Sequence, residues 1–179
     1  MITTEDRRAL LGLARHAIAA YVRGLPPPPV PPSPIMWRLA GVFVSLHQDR
    51  ALRGCIGHVE GDRPLAQSVS EMAVAAASSD PRFPPVTADE LDGLDIELSV
   101  LGELEPITAP TDIEIGRHGL LVEHHGHRGL LLPQVAVEWH WDAETFLAQT
   151  CHKAGLPRDA WKSGASICRF AAEVFAEVA

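Results

Sequence analysis

Cysteine is scarce in this 179-residue chain: Cys55, Cys151 and Cys168 form an odd, widely spaced set with no Cys-x-x-Cys pair. Neither a disulfide scaffold nor a cysteine zinc site is indicated. Basic residues are outnumbered, 15 Lys and Arg against 23 Asp and Glu for a formal charge of -8, a balance that repels a phosphate backbone instead of neutralising it. Nucleic acid is therefore not an expected partner. No apolar run is long enough to span a bilayer, and Met1-Ile2-Thr3-Thr4-Glu5-Asp6-Arg7-Arg8 lacks the basic start and apolar stretch of a secretory leader. We expect a cytoplasmic protein without a membrane partner. The remainder, 46% hydrophobic and 21% charged, suits a soluble globular domain of one or two lobes with a well-buried core.

Leu10, Leu11, Ala14, Ala17, Ile18 and Tyr21 recur at helical spacing behind Thr3 and Thr4, which predicts a helix from about Thr4 to Val22 ended by Gly24. Pro26-Pro27-Pro28-Pro29-Val30-Pro31-Pro32-Ser33-Pro34 then continues neither helix nor central strand. Such runs serve elsewhere as ligands for aromatic-lined grooves, but a tract lying between two structured segments is expected to be a stiff surface crossing. Val42, Val44 and Leu46 alternate with Phe43, Ser45 and His47, Gln48-Asp49-Arg50 makes a turn, and Leu52 to Val59 returns as the second strand of a hairpin. Pro64 opens an alanine-rich helix striped by Leu65, Val69, Met72, Ala73 and Ala76. A rigid loop, Asp80-Pro81-Arg82-Phe83-Pro84-Pro85, follows, with Phe83 expected to anchor it on the core. Thr87 and Glu90 have capping-box spacing, and Leu94, Ile96, Leu98 and Val100 mark a strand whose other face, with Glu97, is wet. A second hairpin runs from Gly119 to Leu132 around His125-Gly126, a helix capped by Asp142 reaches Gly155, and Cys168, Phe170, Ala172 and Val174 alternate in a last strand.

Within the first hairpin, Leu52-Arg53-Gly54-Cys55-Ile56-Gly57 sets a cysteine between two glycines. In an extended segment Arg53, Cys55 and Gly57 share one face and Gly54 and Ile56 the other. A cation beside the thiol favours the thiolate, and Gly57 leaves room for a second molecule to approach the sulfur. The same residues also suit a small buried hydrophobe in a glycine-kinked strand. His58 faces away from Cys55 unless a bulge near Gly57 turns it, and His140 and His152 are more distant candidates for a base. His118, His124, His125 and His127 cluster near the second hairpin, but polar residues at a hairpin tip need no metal, and neither metal nor cofactor is expected.

Taken together, the cysteine motif, Asp80 to Val86, Leu94 to Leu101, Gly116-Arg117-His118-Gly119-Leu120, Arg128 to Ala136 and Thr150-Cys151-His152-Lys153-Ala154-Gly155-Leu156-Pro157 resemble, in order, the AMMECR domain family. The resemblance covers nearly the whole chain. It implies an α/β (α+β) fold of two lobes: a larger lobe from both chain ends, with an antiparallel sheet flanked by helices, and a smaller inserted lobe at roughly 60–92, with the cysteine motif near a cleft. It also implies a role as one part of a three-part system with a Memo-like protein and a radical S-adenosylmethionine protein. Carried over by motif, Cys55 and Arg53 become candidate catalytic residues, and Gly54, Gly57, Asp80, Arg82, Glu144 and Lys153 candidate substrate-binding residues. His58 and His152 depart from the family pattern, which argues against a histidine base at either place. Two readings follow: a cysteine-dependent enzyme or enzyme subunit acting on a small anionic substrate, or a non-catalytic partner-binding module.

Overall fold

The computed structural model describes residues 1–177 and divides into two compact units, Met1–Leu101 with the chain from Glu173, and Gly102–Ala172. In the first, helix α1 (Thr4–Val22) starts where the Thr3 side chain accepts from the Asp6 N–H and stops before Gly24, whose φ of +67° lets the chain turn away. Strands β1 (Val42–Gln48) and β2 (Ala51–His58) are antiparallel, joined through Asp49 and Arg50, both at positive φ. Two consecutive left-handed residues give a turn whose twist matches that of its strands. Helix α2 (Leu65–Ser78) follows, then a 3-10 turn (Ala88–Gly93) and strand β3 (Leu94–Leu101), which pairs with β1 to give the order β2-β1-β3. Leu10, Ile18, Val44, Leu65, Val69 and Leu98 meet in one core.

The second unit contains a short strand β4 (Glu105–Pro106), the hairpin β5 (His118–His124) and β6 (His127–Leu131), helices α3 (Pro133–Glu138) and α4 (Ala143–Lys153), and most of strand β7 (Ser166–Ala176). β5 lies between β6 and β7, β4 adds to β7, and Leu120, Val122, Phe146, Leu147 and Ile167 form its own core. Asp142 caps α4 by accepting from the Thr145 N–H at 2.8 Å. The leucines of the second hairpin are buried, as their continuous run implies.

The architecture is the mixed helix-and-strand, antiparallel fold that the resemblance implies, with four differences. Residues 60–92 do not stand apart: α2 sends Leu65, Val69, Ala73 and Ala76 into the core shared with α1 and β1, and the separate unit is Gly102–Ala172. The sequence reading also passes over α3, because six residues beginning at Pro133 are too few to display a helical stripe. On β3 the expected wet face holds at Asp95, is half-buried at Glu97 and closes at Ser99, which is only 1% exposed. Along β7 the alternation fails at its end, where Phe175 enters the first core and Val174 is exposed.

What fixes α2 against the hairpin is an absence of side chain. A Cβ at Gly54 would lie 2.2 Å from the Ala76 carbonyl oxygen, so the helix backbone seats directly on β2. The alanines of α2 permit the same approach from their side. Replacing Gly54 by alanine forces strand and helix apart, since neither partner is a flexible side chain. We expect Gly54→Ala to cost about 2–3 kcal/mol, read as a lower urea midpoint at unchanged slope, while Gly12→Ala, which meets nothing within 4 Å, does not destabilise.

Candidate functional site

β2 is the edge strand of its sheet, so alternate N–H groups point away from β1. The Cys55 N–H donates instead to Asp80 Oδ2, at 2.9 Å. Because that group turns outward, Cys55 and its register partner Ser45 form a non-hydrogen-bonded pair, the kind whose side chains stand closest. Accordingly the Ser45 hydroxyl donates to Cys55 Sγ at 3.2 Å. Ser45 is 7% exposed, and Cys55 itself is half-buried.

Asp80 ties this strand edge to the loop after α2. Its carboxylate accepts from the Arg82 N–H at 3.1 Å, the turn expected of an aspartate in this position, and from Arg82 Nε at 3.0 Å and Nη2 at 2.7 Å. Those Arg82 bonds hold the carboxyl well below the usual carboxylate range, burial opposes them, and the Cys55 and Arg82 N–H groups add to the lowering. Arg82 in turn is held protonated first by Asp80, with a smaller favourable contribution from Cys55. The pair is lopsided: the Asp80 side chain is 2% exposed and that of Arg82 55%. A buried anion thus presents a cation at the surface, and Phe83, 5.5 Å below that guanidinium, supports it from beneath.

Arg53 takes another course. Its Nε and Nη2 donate to the two Glu90 oxygens at 2.8 and 3.1 Å, and Nη1 donates to the Pro84 carbonyl at 2.9 Å. Glu90 also accepts from the Thr87 N–H at 2.8 Å, so one carboxylate caps the 3-10 turn and anchors Arg53. Arg53 first, then the Thr87 N–H, lowers the Glu90 carboxyl to about 2. Arg53 is therefore a strut between β2 and the loop. The cation tied to the Cys55 backbone, through Asp80, is Arg82, whereas the expectation set Arg53 beside the thiol.

A profile of the family described as AMMECR1 matches residues 11–175. The chain belongs to the AMMECR1 family. It is 49% identical over 189 residues to a protein of Thermococcus gammatolerans, covering 98% of this chain and 92% of that one, and 45% identical over 185 residues to one of Methanothermobacter thermautotrophicus, covering 98% and 96%. The crystal structure of uncharacterized protein PH0010 from Pyrococcus horikoshii matches at a TM-score of 0.88 with 45% identity, covering 94% of this chain and 89% of that one.

Among the candidate residues of this AMMECR1 protein, Arg53, Gly54, Cys55, Gly57, Asp80 and Arg82 all belong to the first unit, and Glu144 and Lys153 to the second. The latter two sit at opposite ends of α4, nine residues and about 13 Å apart along its axis, so α4 does not gather them round one small group. Gly57 does not leave the sulfur's flank open either. A Cβ there would lie 2.3 Å from the Phe43 ring, which covers the space across the strands. Gly54 is occupied by the Ala76 carbonyl, and Asp80 has both oxygens engaged. All three are taken up by contacts within the protein.

His58 stays on the far face from Cys55, because the register shift of this hairpin falls between Leu46 and His47 and not near Gly57. At the second hairpin the His124 and His125 rings meet, centroids 3.9 Å apart, whereas His118 Nδ1 accepts from the Glu114 N–H at 3.0 Å as part of the strand's own support. Among the described residues no three His, Cys, Asp or Glu side chains come together as a metal site would need, and no helix is long and apolar enough to cross a membrane. Sequence reasoning missed Ser45 and the double use of Glu90. A lone serine in the apolar run from Val42 to Leu46 was the available signal for the first.

The depressed Asp80 carboxyl sets a direction for pH dependence. A carboxyl lowered by folding contributes stability that is fully present above its ordinary value near 4 and lost as pH falls toward the folded value. Asp80→Asn should therefore be less stable than the parent at pH 7, by about 2–4 kcal/mol. Urea unfolding at stepped pH should show that gap narrowing below about pH 4; a gap independent of pH would mean that the charge of Asp80 does not carry its effect.

Proposed function

We propose that this AMMECR1 protein is a cytoplasmic enzyme, or enzyme subunit, that uses Cys55 as nucleophile or covalent tether toward a small anionic substrate, working beside a Memo-like protein and a radical S-adenosylmethionine protein. The observation that carries the reading is the shared oxygen: Asp80 Oδ2 accepts from both the Cys55 N–H and Arg82 Nη2. One buried atom thereby fixes the sulfur's backbone and a surface cation in a common frame. Such a frame is what attack on an anionic substrate requires, a nucleophile and a charge anchor whose separation does not drift.

The division of labour follows from exposure. Arg82 Nη1 makes no hydrogen bond among the described residues and belongs to a half-exposed side chain, so it is the donor left for a carboxylate or phosphate. Ser45 donates its proton toward the sulfur and so supports negative charge there without acting as a base. An overall charge of -8 turns polyanions away, while a locally fixed cation still receives a small anion, which is why the substrate class is small.

Two alkylating reagents of equal reach but different charge test this. Cys55 should react with iodoacetate in preference to iodoacetamide more strongly than free cysteine does, by up to about threefold for unit charges roughly 6 Å apart near water, with sites assigned by peptide mass mapping. Arg82→Gln should abolish the preference, and Cys55→Ser should fold normally and lose the label. If Cys55 is unreactive, or shows no charge preference, the sulfur only packs and the partner-binding reading takes its place.

A further inference from the structure

The proline tract between α1 and β1 has no part in the Cys55 site. From Leu25 to Trp37 no residue is charged, and seven of these thirteen residues are proline. Consecutive prolines hold φ near -65° and offer no N–H, which places them in the polyproline II helix of three residues per turn. From Pro26 to Pro32 burial has that same period. Pro28 and Pro31 are half-buried, whereas Pro26, Pro27, Pro29, Val30 and Pro32 are exposed. One edge of the rod leans on the protein, and the edges Pro26/Pro29/Pro32 and Pro27/Val30 face solvent. Both ends are pinned, by the Leu25 N–H donating to the Ala20 carbonyl at 2.7 Å and the Ser33 hydroxyl donating to Asp6 Oδ1 at 2.8 Å.

We propose that this rod is a docking ligand for a partner protein whose groove is lined by aromatic side chains and rimmed by carboxylates. Aromatic grooves read two edges of a polyproline helix and leave the third turned outward. Here the third edge is the one already resting on the chain's own surface, so both readable edges are presented. A crossing segment needs stiffness alone; it has no need to keep two apolar edges in water. Because the rod is ordered before it binds, the entropic cost of docking is reduced. Arg23 and Arg38 bracket the tract, both exposed and neither in an ion pair among the described residues. In a chain of net charge -8 that local cationic pair matches an acidic rim.

The probe is an isotope-labelled SH3 domain, whose groove is of this class, titrated with the intact protein and followed by NMR. Saturable shifts confined to the aromatic groove are expected. The double variant Pro26→Ala/Pro29→Ala should weaken binding about tenfold or more, equivalent to at least 1.4 kcal/mol, and Arg23→Glu/Arg38→Glu should weaken it and flatten its salt dependence. Pro28→Ala/Pro31→Ala, on the resting edge, should leave it within about twofold, with melting curves establishing that every variant is folded. Absence of groove shifts with the parent protein overturns the proposal, and so does equal weakening by the two proline pairs, because composition and not the presented edge would then decide.

Discussion

The side chain on which the candidate site depends is Asp80, an anion withdrawn from water. Burying a carboxylate is tolerable only when its lone pairs are satisfied by donors, at least one of them charged. Asp80 meets that condition with two backbone N–H groups and two guanidinium nitrogens. Those bonds have a structural consequence beyond their own energy. The outward donor of an edge strand, a point at which another chain could add, is closed by a side chain from the same molecule. Meanwhile the loop carrying Arg82 is tied to the strand carrying Cys55. A multiply bonded buried carboxylate is stiff enough to keep the separation of those two segments fixed.

Around that point the first unit relies on missing side chains, each with its own complement. On one face of β2, Gly54 admits the backbone of α2 at Ala76; on the other, Gly57 lies under the ring of Phe43. The second unit repeats both devices. Gly129 on β6 faces the backbone of Ala154 just beyond α4, and Gly119 on β5 lies under Phe170, its register partner on β7. A phenylalanine laid over a cross-strand glycine restores the packing that the glycine forfeits, so the strand keeps its stability while its opposite face stays flat. Glycines at these positions thus record close approach more than flexibility.

Much of this was open to reading in the sequence. The 3.6 and 2.0 periods located α1, α2, α4 and the hairpins because each buries one face against a core, and a period is visible whenever burial is one-sided. Asp80 was legible as a turn former because its partner is two residues away. What stayed hidden depended on pairing between distant segments. Nothing local distinguishes Arg53 from Arg82 as the cation with a free edge; the choice is made by Glu90, whose carboxylate claims Arg53 thirty-seven residues away. Ser45 becomes a partner of Cys55 only through strand register, and the division into units escaped notice because the hydrophobic pattern of α2 says that it packs, not against what.

Arg53 and Arg82 also show why two cations in one motif are not equivalent. Both pair with a carboxylate, but the Arg53 side chain is 12% exposed and spends its donors on Glu90 and on the Pro84 and Pro85 carbonyls, whereas Arg82 is more than half exposed and keeps one nitrogen without a partner among the described residues. A guanidinium enclosed by acceptors offers a ligand nothing, however favourable its charge, because its hydrogen-bonding capacity is used up. A guanidinium held along one edge by a buried anion is different: its direction is fixed, its rotamers are already restricted, and its free edge meets an incoming oxygen with little further loss of entropy. The loop from Asp80 to Glu90 sorts the two. By giving Arg53 its acceptors it becomes rigid, and by being rigid it holds Arg82 at the surface with its free edge exposed.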